Sequence, residues 1–115
     1  MNADDDARPL AGAKQLETLQ QLIAERRGGD VERSGTARLL ARGTPHCARK
    51  LGEEAVELVV AALSETRREV VLESADLLYH WLALMESLGV DPREVYGELA
   101  RRRGEKKPDG AQQAR

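Results

Sequence analysis

Two stretches of this chain carry apolar residues around almost the whole circumference of a helix, and each leaves only a narrow arc for acids. On a wheel at about 100° per residue with Leu51 at zero, Leu58, Ala55, Val59, Leu63, Val56 and Val60 sweep from about 340° to about 180°. Lys50, Glu53, Glu54 and Glu57 are confined to the remaining arc, with Ala61 between them. The second stretch, counted from Val70, repeats the design. Leu72, Leu77, Leu78, Tyr79, Trp81, Leu82, Leu84, Met85 and Leu88 cover nearly everything, while Glu69, Glu73, Asp76, His80 and Ser87 share an arc of about 60°. A surface helix has one apolar stripe and a broad polar face; a helix apolar nearly all round is surrounded by protein. Both segments must therefore be covered, and their acids are drawn in with them.

The rest of the chain reads as helix too. Leu16, Leu19, Leu22 and Ile23 give helical spacing over 14–27, stopped by Gly28-Gly29-Asp30. A short helix over 36–42 has Ser34 as its cap and Gly43 past its end. Thr44-Pro45 supplies a cap and a first-position proline for the first apolar stretch, which runs to about Leu63 and tolerates Gly52. Residues 64–68 read as a polar turn, the second stretch spans 69–88, and Gly89 ends it. Asp91-Pro92-Arg93-Glu94 is a cap, a first-position proline and a third-position glutamate, opening a last helix to about Arg103. No segment alternates with period two over a strand's length. With one Trp, two Tyr and no Phe, the core is left to Leu, Val and Ala. The expected fold is all-α, a helical bundle built on an antiparallel hairpin of the two long helices.

The 115 residues allow one domain, expected over 14–104, with an acidic arm at 1–13 and a polar tail at 105–115 both read as disordered. A net charge of −2 gives no electrostatic case for nucleic acid or an anionic membrane. The N-terminus lacks the basic start and apolar run of a signal peptide, and no run of about 18 apolar residues offers a membrane span. Cys47 is the single cysteine, which excludes an intrachain disulfide and reads as a small hydrophobe. A cytoplasmic protein is expected.

The acid seams carry the chemistry. Glu54-x-x-Glu57 and Glu73-x-x-Asp76 are i,i+3 pairs, each projecting from one helix face. Counting back from the turn puts Glu57 near Glu73 and Glu54 near Asp76. Ionised carboxylates buried without partners either cost several kcal/mol each or take up protons. A divalent cation resolves the conflict. All-oxygen ligation selects Mg²⁺, or Mn²⁺, over zinc, and Mg²⁺ binds best when a phosphate shares its shell. Glu53 is a fifth acid, able to complete the shell or to sit at its rim. An isolated ExxE is an ordinary solvated face; two matched pairs on adjoining apolar helices favour metal. His80 reads instead as a core imidazole bonded to a neighbouring acid, and Trp81 and Tyr79 as packing.

Upstream, Ser34, Thr36, Arg38, Arg42, His46, Arg49 and Lys50 fall within a segment free of acids. A donor-rich loop feeding an acidic helix suits a polyphosphate: guanidinium forks for its oxygens, and a metal at the bond being cut. The run Arg101-Arg102-Arg103 is explained by the dipole of the last helix.

Ser34-Gly35-Thr36-Ala37-Arg38-Leu39, Arg42-Gly43-Thr44, Lys50-Leu51-Gly52-Glu53-Glu54-Ala55-Val56-Glu57 and Glu73-Ser74-Ala75-Asp76-Leu77-Leu78-Tyr79-His80 together resemble the phosphoribosyl-ATP pyrophosphohydrolase family. The resemblance covers about Leu16 to Gly104; either acidic block alone would indicate only the wider all-α nucleoside-triphosphate pyrophosphohydrolase superfamily. It implies the second step of histidine biosynthesis, Mg²⁺-dependent hydrolysis of phosphoribosyl-ATP to phosphoribosyl-AMP and pyrophosphate, by a homodimer. The family's metal carboxylates fall on Glu54, Glu57, Glu73 and Asp76, and its phosphate-contacting positions on Ser34, Thr36, Arg38, Arg42 and Lys50. The chain departs from the usual pattern at Gly35, where the family has an aromatic residue, and at Arg38, Arg42 and His46, where it has lysines.

The implied chemistry is in-line attack by water, oriented by Glu53 or Glu54, with departure of pyrophosphate. A homodimer has a separate motive: Val56, Val60, Leu72 and Tyr79 extend the apolar surface past what one hairpin partner covers, and a second copy would close a four-helix core. Two other functions are consistent with the same residues. One is a housekeeping pyrophosphohydrolase for nucleoside triphosphates; the other is a non-catalytic helical dimerisation module holding a structural ion.

Overall fold

The structure, a computed structural model, describes residues 9–64 and 66–104. Most of the expected N-terminal arm and all of the expected tail at 105–115 lie outside these residues. Five helices follow in order: α1 (Lys14–Arg26), α2 (Gly35–Ala41), α3 (Thr44–Ser64), α4 (Arg67–Leu88) and α5 (Pro92–Gly104), with no strand among the described residues. The chain is all-α, as the apolar spacing predicts.

Helix ends follow local chemistry. Ser34 caps α2, its Oγ accepting from the Ala37 amide at 3.0 Å. Gly89, at φ +72°, takes the left-handed conformation that closes α4, and the amides of Gly89 and Val90 return to the carbonyls of Glu86 and Met85. At α5 the capping box forms in both directions: Asp91 Oδ1 accepts from the Arg93 amide at 2.9 Å, and Glu94 Oε2 accepts from the Asp91 amide at 3.3 Å.

Two ends differ from the sequence reading. Thr44 is not the cap of α3. The helix opens one residue earlier, the Cys47 amide donating to the Gly43 carbonyl at 3.1 Å, and the Thr44 hydroxyl is bonded to Ser87 on α4. Gly43 stands at φ +94°, so it both ends α2 and starts α3. α4 begins at Arg67 rather than Glu69, because Thr66 caps it by accepting from the Glu69 amide at 3.3 Å.

The packing of α3 along α4 is the most extensive in the chain. Thr44 meets Ser87 at one end of the pair, and Glu57 contacts Glu73 nearer the turn, so the two helices run antiparallel. The core lies toward the end away from the turn. There Ile23 of α1, Leu39 and Leu40 of α2, Cys47 of α3, and Leu82 and Ala83 of α4 are buried, flanked by Leu16, Leu19, Tyr79, Trp81 and Leu84. Cys47 donates to the Leu39 carbonyl at 3.6 Å, and burial pushes its thiol pKa up. The Trp81 and Tyr96 rings, 6.1 Å apart, bring α5 against α4.

Toward the turn the hairpin is bare. Val56, Val60 and Leu63 are 62%, 48% and 81% exposed, and Val59, Val71 and Leu78 are exposed with them. Of the four residues expected to extend the apolar surface, Val56 and Val60 do so. Leu72 and Tyr79 are half-buried within the chain.

Candidate active site

Three acids of the seam converge. Each of Glu54, Glu57 and Glu73 places one carboxylate oxygen within 4.8 Å of the other two. The i,i+3 spacing on α3 supplies Glu54 and Glu57 from one face, and the antiparallel packing of α4 brings Glu73 across to them. Glu54 is only 9% exposed, on a helix whose other buried residues are Cys47 and Ala61. Oε1 of Glu54 and Oε1 of Glu73 are sealed from solvent without a hydrogen-bond partner.

These carboxylates are in electrostatic conflict. Burial first, then the charge of Glu57 and a hydrogen bond to it, then the charges of Glu54 and Asp76, raise the Glu73 pKa to about 7. Near neutral pH Glu73 is thus only partly ionised, in the place where an oxygen-ligated divalent cation would relieve the repulsion. Orphaned buried oxygens, a purely oxygen donor set and crowded like charges all fit such an ion.

The other expected acids sit elsewhere. Asp76, three residues on from Glu73 in α4, is exposed and stands outside the trio, contributing charge to it. Glu53 is turned to the basic side, its oxygens 3.3 Å from Lys50 Nζ and 3.7 Å from Arg49 Nε.

The basic residues line a cleft of about 480 Å³ formed by Gly35, Arg38, Leu39, Arg42, His46, Lys50, Tyr79 and His80. A second hollow of about 380 Å³, walled by Arg42, Pro45, His46 and Arg49, shares Arg42 and His46 with the first. Arg38 reaches back to the Val31 carbonyl at 2.5 Å, which fixes its guanidinium over the start of α2. Arg42 has no ion-pair partner among the described residues. Partial desolvation and then the charges of Arg42, Arg49 and Lys50 lower the His46 pKa. Two of the expected hydroxyls are engaged within the chain: Ser34 in its cap and Thr36 with Tyr79 Oη, at 2.5 Å.

Sequence reasoning missed two residues of this region. Tyr79, read as packing, is the partner of Thr36 and a wall of the cleft. His80, expected to bond a neighbouring acid, has a buried Nδ1 with no partner among the described residues. Burial, as the leading cause, lowers its pKa, against the opposing charge of Glu54. The Tyr-His pair directly after an acid-rich turn was the available signal.

The family model for phosphoribosyl-ATP pyrophosphohydrolase matches residues 16–103. The chain is 58% identical over 94 residues to the phosphoribosyl-ATP pyrophosphatase of Parvibaculum lavamentivorans, covering 82% of this chain and 86% of that protein. It is 56% identical over 92 residues to the protein of the same description from Paramagnetospirillum magneticum, covering 80% and 84%. A histidine biosynthesis bifunctional protein of Vibrio cholerae is 42% identical over 99 residues, which are 86% of this chain and 47% of that longer protein.

Proposed function

This chain belongs to the phosphoribosyl-ATP pyrophosphohydrolase family, and on that premise we propose that the basic cleft and the acid trio are two parts of one hydrolytic site. The enzyme hydrolyses phosphoribosyl-ATP to phosphoribosyl-AMP and pyrophosphate, a step of histidine biosynthesis. The observation that carries the site assignment is the juxtaposition on α3: Lys50 lines the cleft, and Glu54 and Glu57, one and two turns further on, belong to the trio.

Glu54, Glu57 and Glu73 hold the divalent cation, Mg²⁺ or Mn²⁺, with Asp76 as the fourth carboxylate of the seam. When bound, the ion supplies Lewis-acid stabilisation of the charge that builds up on the phosphoanhydride. Arg38, Arg42 and Lys50 take up the negative charge of the triphosphate, Arg42 with a guanidinium that no carboxylate of the described residues occupies. Ser34 and Thr36 add hydroxyls at the start of α2. Glu53 and Glu54 are the two acids for orienting the attacking water, which forms the new P–O bond as the α–β anhydride bond breaks and pyrophosphate departs. Lys50 Nζ lies 3.3 Å from Glu53 and so ties that carboxylate to the cleft that Lys50 lines.

A homodimer completes the molecule. The bare valines and leucines near the turn form an unpartnered apolar face on both long helices, and a second hairpin covering it gives a four-helix core.

Pyrophosphate release from phosphoribosyl-ATP tests this reading. Turnover requires Mg²⁺ and is abolished by EDTA. Glu57→Gln and Asp76→Asn each lower it by roughly a hundredfold or more, as loss of several kcal/mol of charge stabilisation demands. Glu53→Gln, which leaves the trio intact, tests whether Glu53 orients the water; Glu54→Gln lowers turnover in either case, because Glu54 also belongs to the trio. Full turnover in Glu57→Gln and Asp76→Asn would remove the metal site; faster turnover of deoxynucleoside triphosphates than of phosphoribosyl-ATP would move the activity to the wider superfamily.

A further inference from the structure

His80 stands between the two parts of the site. It lines the cleft beside Lys50 and Arg38 and is close enough to feel the charges of Glu54, Lys50, Asp76 and Glu53. Its two ring nitrogens have different surroundings. Nδ1 is sealed from solvent without a partner, whereas Nε2 is not sealed in this way. A buried N–H without an acceptor is the rarer and costlier orphan, and a bare lone pair the more tolerable one. The hydrogen-bond inventory therefore assigns the ring proton to Nε2, the nitrogen left for a partner on a ring that lines the cleft.

The ring is also held in place. Tyr79 meets it edge-on, with centroids 4.9 Å apart and planes at 79°, and Tyr79 Oη is itself bonded to Thr36 of α2. The chain thus keeps a half-buried imidazole with an unsatisfied nitrogen on a largely apolar helix, in edge-on contact with a tyrosine that is itself tied to α2. Packing alone gives no reason for that cost; a ligand for the other nitrogen does.

We propose that His80 contacts the substrate, its Nε2–H donating a hydrogen bond to a phosphate oxygen of the triphosphate where it passes from the basic cleft to the acid trio. This rests on the pyrophosphohydrolase reading given above and adds to it a neutral donor among charged groups. A fixed N–H discriminates by direction, which the mobile Lys50 ammonium cannot do.

The test uses three substitutions in the full chain, with kcat and KM for phosphoribosyl-ATP and a substrate-free melting temperature for each. His80→Gln puts an amide N–H near the position of Nε2, His80→Asn reaches only as far as Nδ1, and His80→Leu fills the volume with no donor. Expected for His80→Leu and His80→Asn is a roughly ten- to hundredfold loss in kcat/KM, the range of one hydrogen bond to a charged group. His80→Gln stays within a few fold of the parent, and His80→Leu melts no lower, because it removes an orphaned nitrogen. Equal activity in all three overturns the proposal, as does an equal loss in His80→Gln and His80→Asn. Should His80→Leu fail to fold, the Gln–Asn comparison decides alone. Failure of the parent chain to release pyrophosphate from phosphoribosyl-ATP is a different result, and it strikes the functional reading itself.

Discussion

At Glu73 the folded chain holds a carboxyl pKa of about 7, through burial and the charges of Glu57, Glu54 and Asp76. An unfolded glutamate titrates near about 4.3, so between these values the native state binds a proton that the unfolded state does not. Stability of the metal-free protein therefore falls as pH rises through that window. Melts in EDTA should give a Glu73→Gln variant that gains on the parent from pH 5 to pH 8. Because the cation requires the ionised trio, added Mg²⁺ should raise the melting temperature more at pH 8 than at pH 6. The sequence announced these acids through their i,i+3 spacing, since residues sharing an arc of an apolar helix share its burial. It paired Asp76 with Glu73 by the same rule. Spacing along one helix, however, does not say which side chain reaches across to the next: Asp76 is exposed and stands outside the close trio, yet near enough for its charge to act on Glu73. Glu53 was ambiguous for a related reason: Arg49 and Lys50 compete for it, and only the packed helix shows that they win.

Among the elements, α5 depends most visibly on its first turn. Asp91 accepts from the Arg93 amide and side chain, which hold its pKa down at about 2. A depressed carboxyl stabilises the native state above the ordinary aspartate pKa, and that contribution is lost as pH falls toward 2. Protection factors of the amides in the first turn of α5, taken against intrinsic exchange, should therefore fall between pH 4 and pH 2 before those of the core amides of α4 respond. Asp91→Ala should show the same fraying at neutral pH, costing roughly 0.5–2 kcal/mol as caps do. The Asp-Pro-x-Glu signature made this end legible. Thr66-Arg67-Arg68-Glu69 carries an equally valid Thr-x-x-Glu signature, but two arginines without an apolar residue hid the helix start. Thr44 failed as a cap for a tertiary reason: its hydroxyl has a partner in Ser87, and no local pattern specifies a bond to a residue so far along the chain.

For the whole molecule, the core at one end of the hairpin and the bare valines at the other divide the labour of stability. Val60→Lys places a charge in the middle of the exposed face. It should convert the proposed dimer to a species of half the mass in sedimentation, and it should abolish the dependence of melting temperature on protein concentration. The all-α architecture was legible because nearly every helix is marked by spacing and by a glycine or proline at its ends. The location of the core was not, because α1 and α2 could have covered either end of two helices that are apolar throughout. Lys50 of the cleft and Glu57 of the trio belong to one uninterrupted helix, so the distance between anion receptor and cation receptor is set by the helical rise, about 10 Å along the axis. That helix is a ruler: it measures a phosphate chain and leaves no slack for a longer or shorter one. A single alanine inserted after Gly52 would rotate the far graduations by about 100° against the near ones, giving a chain that stays helical and has lost its gauge.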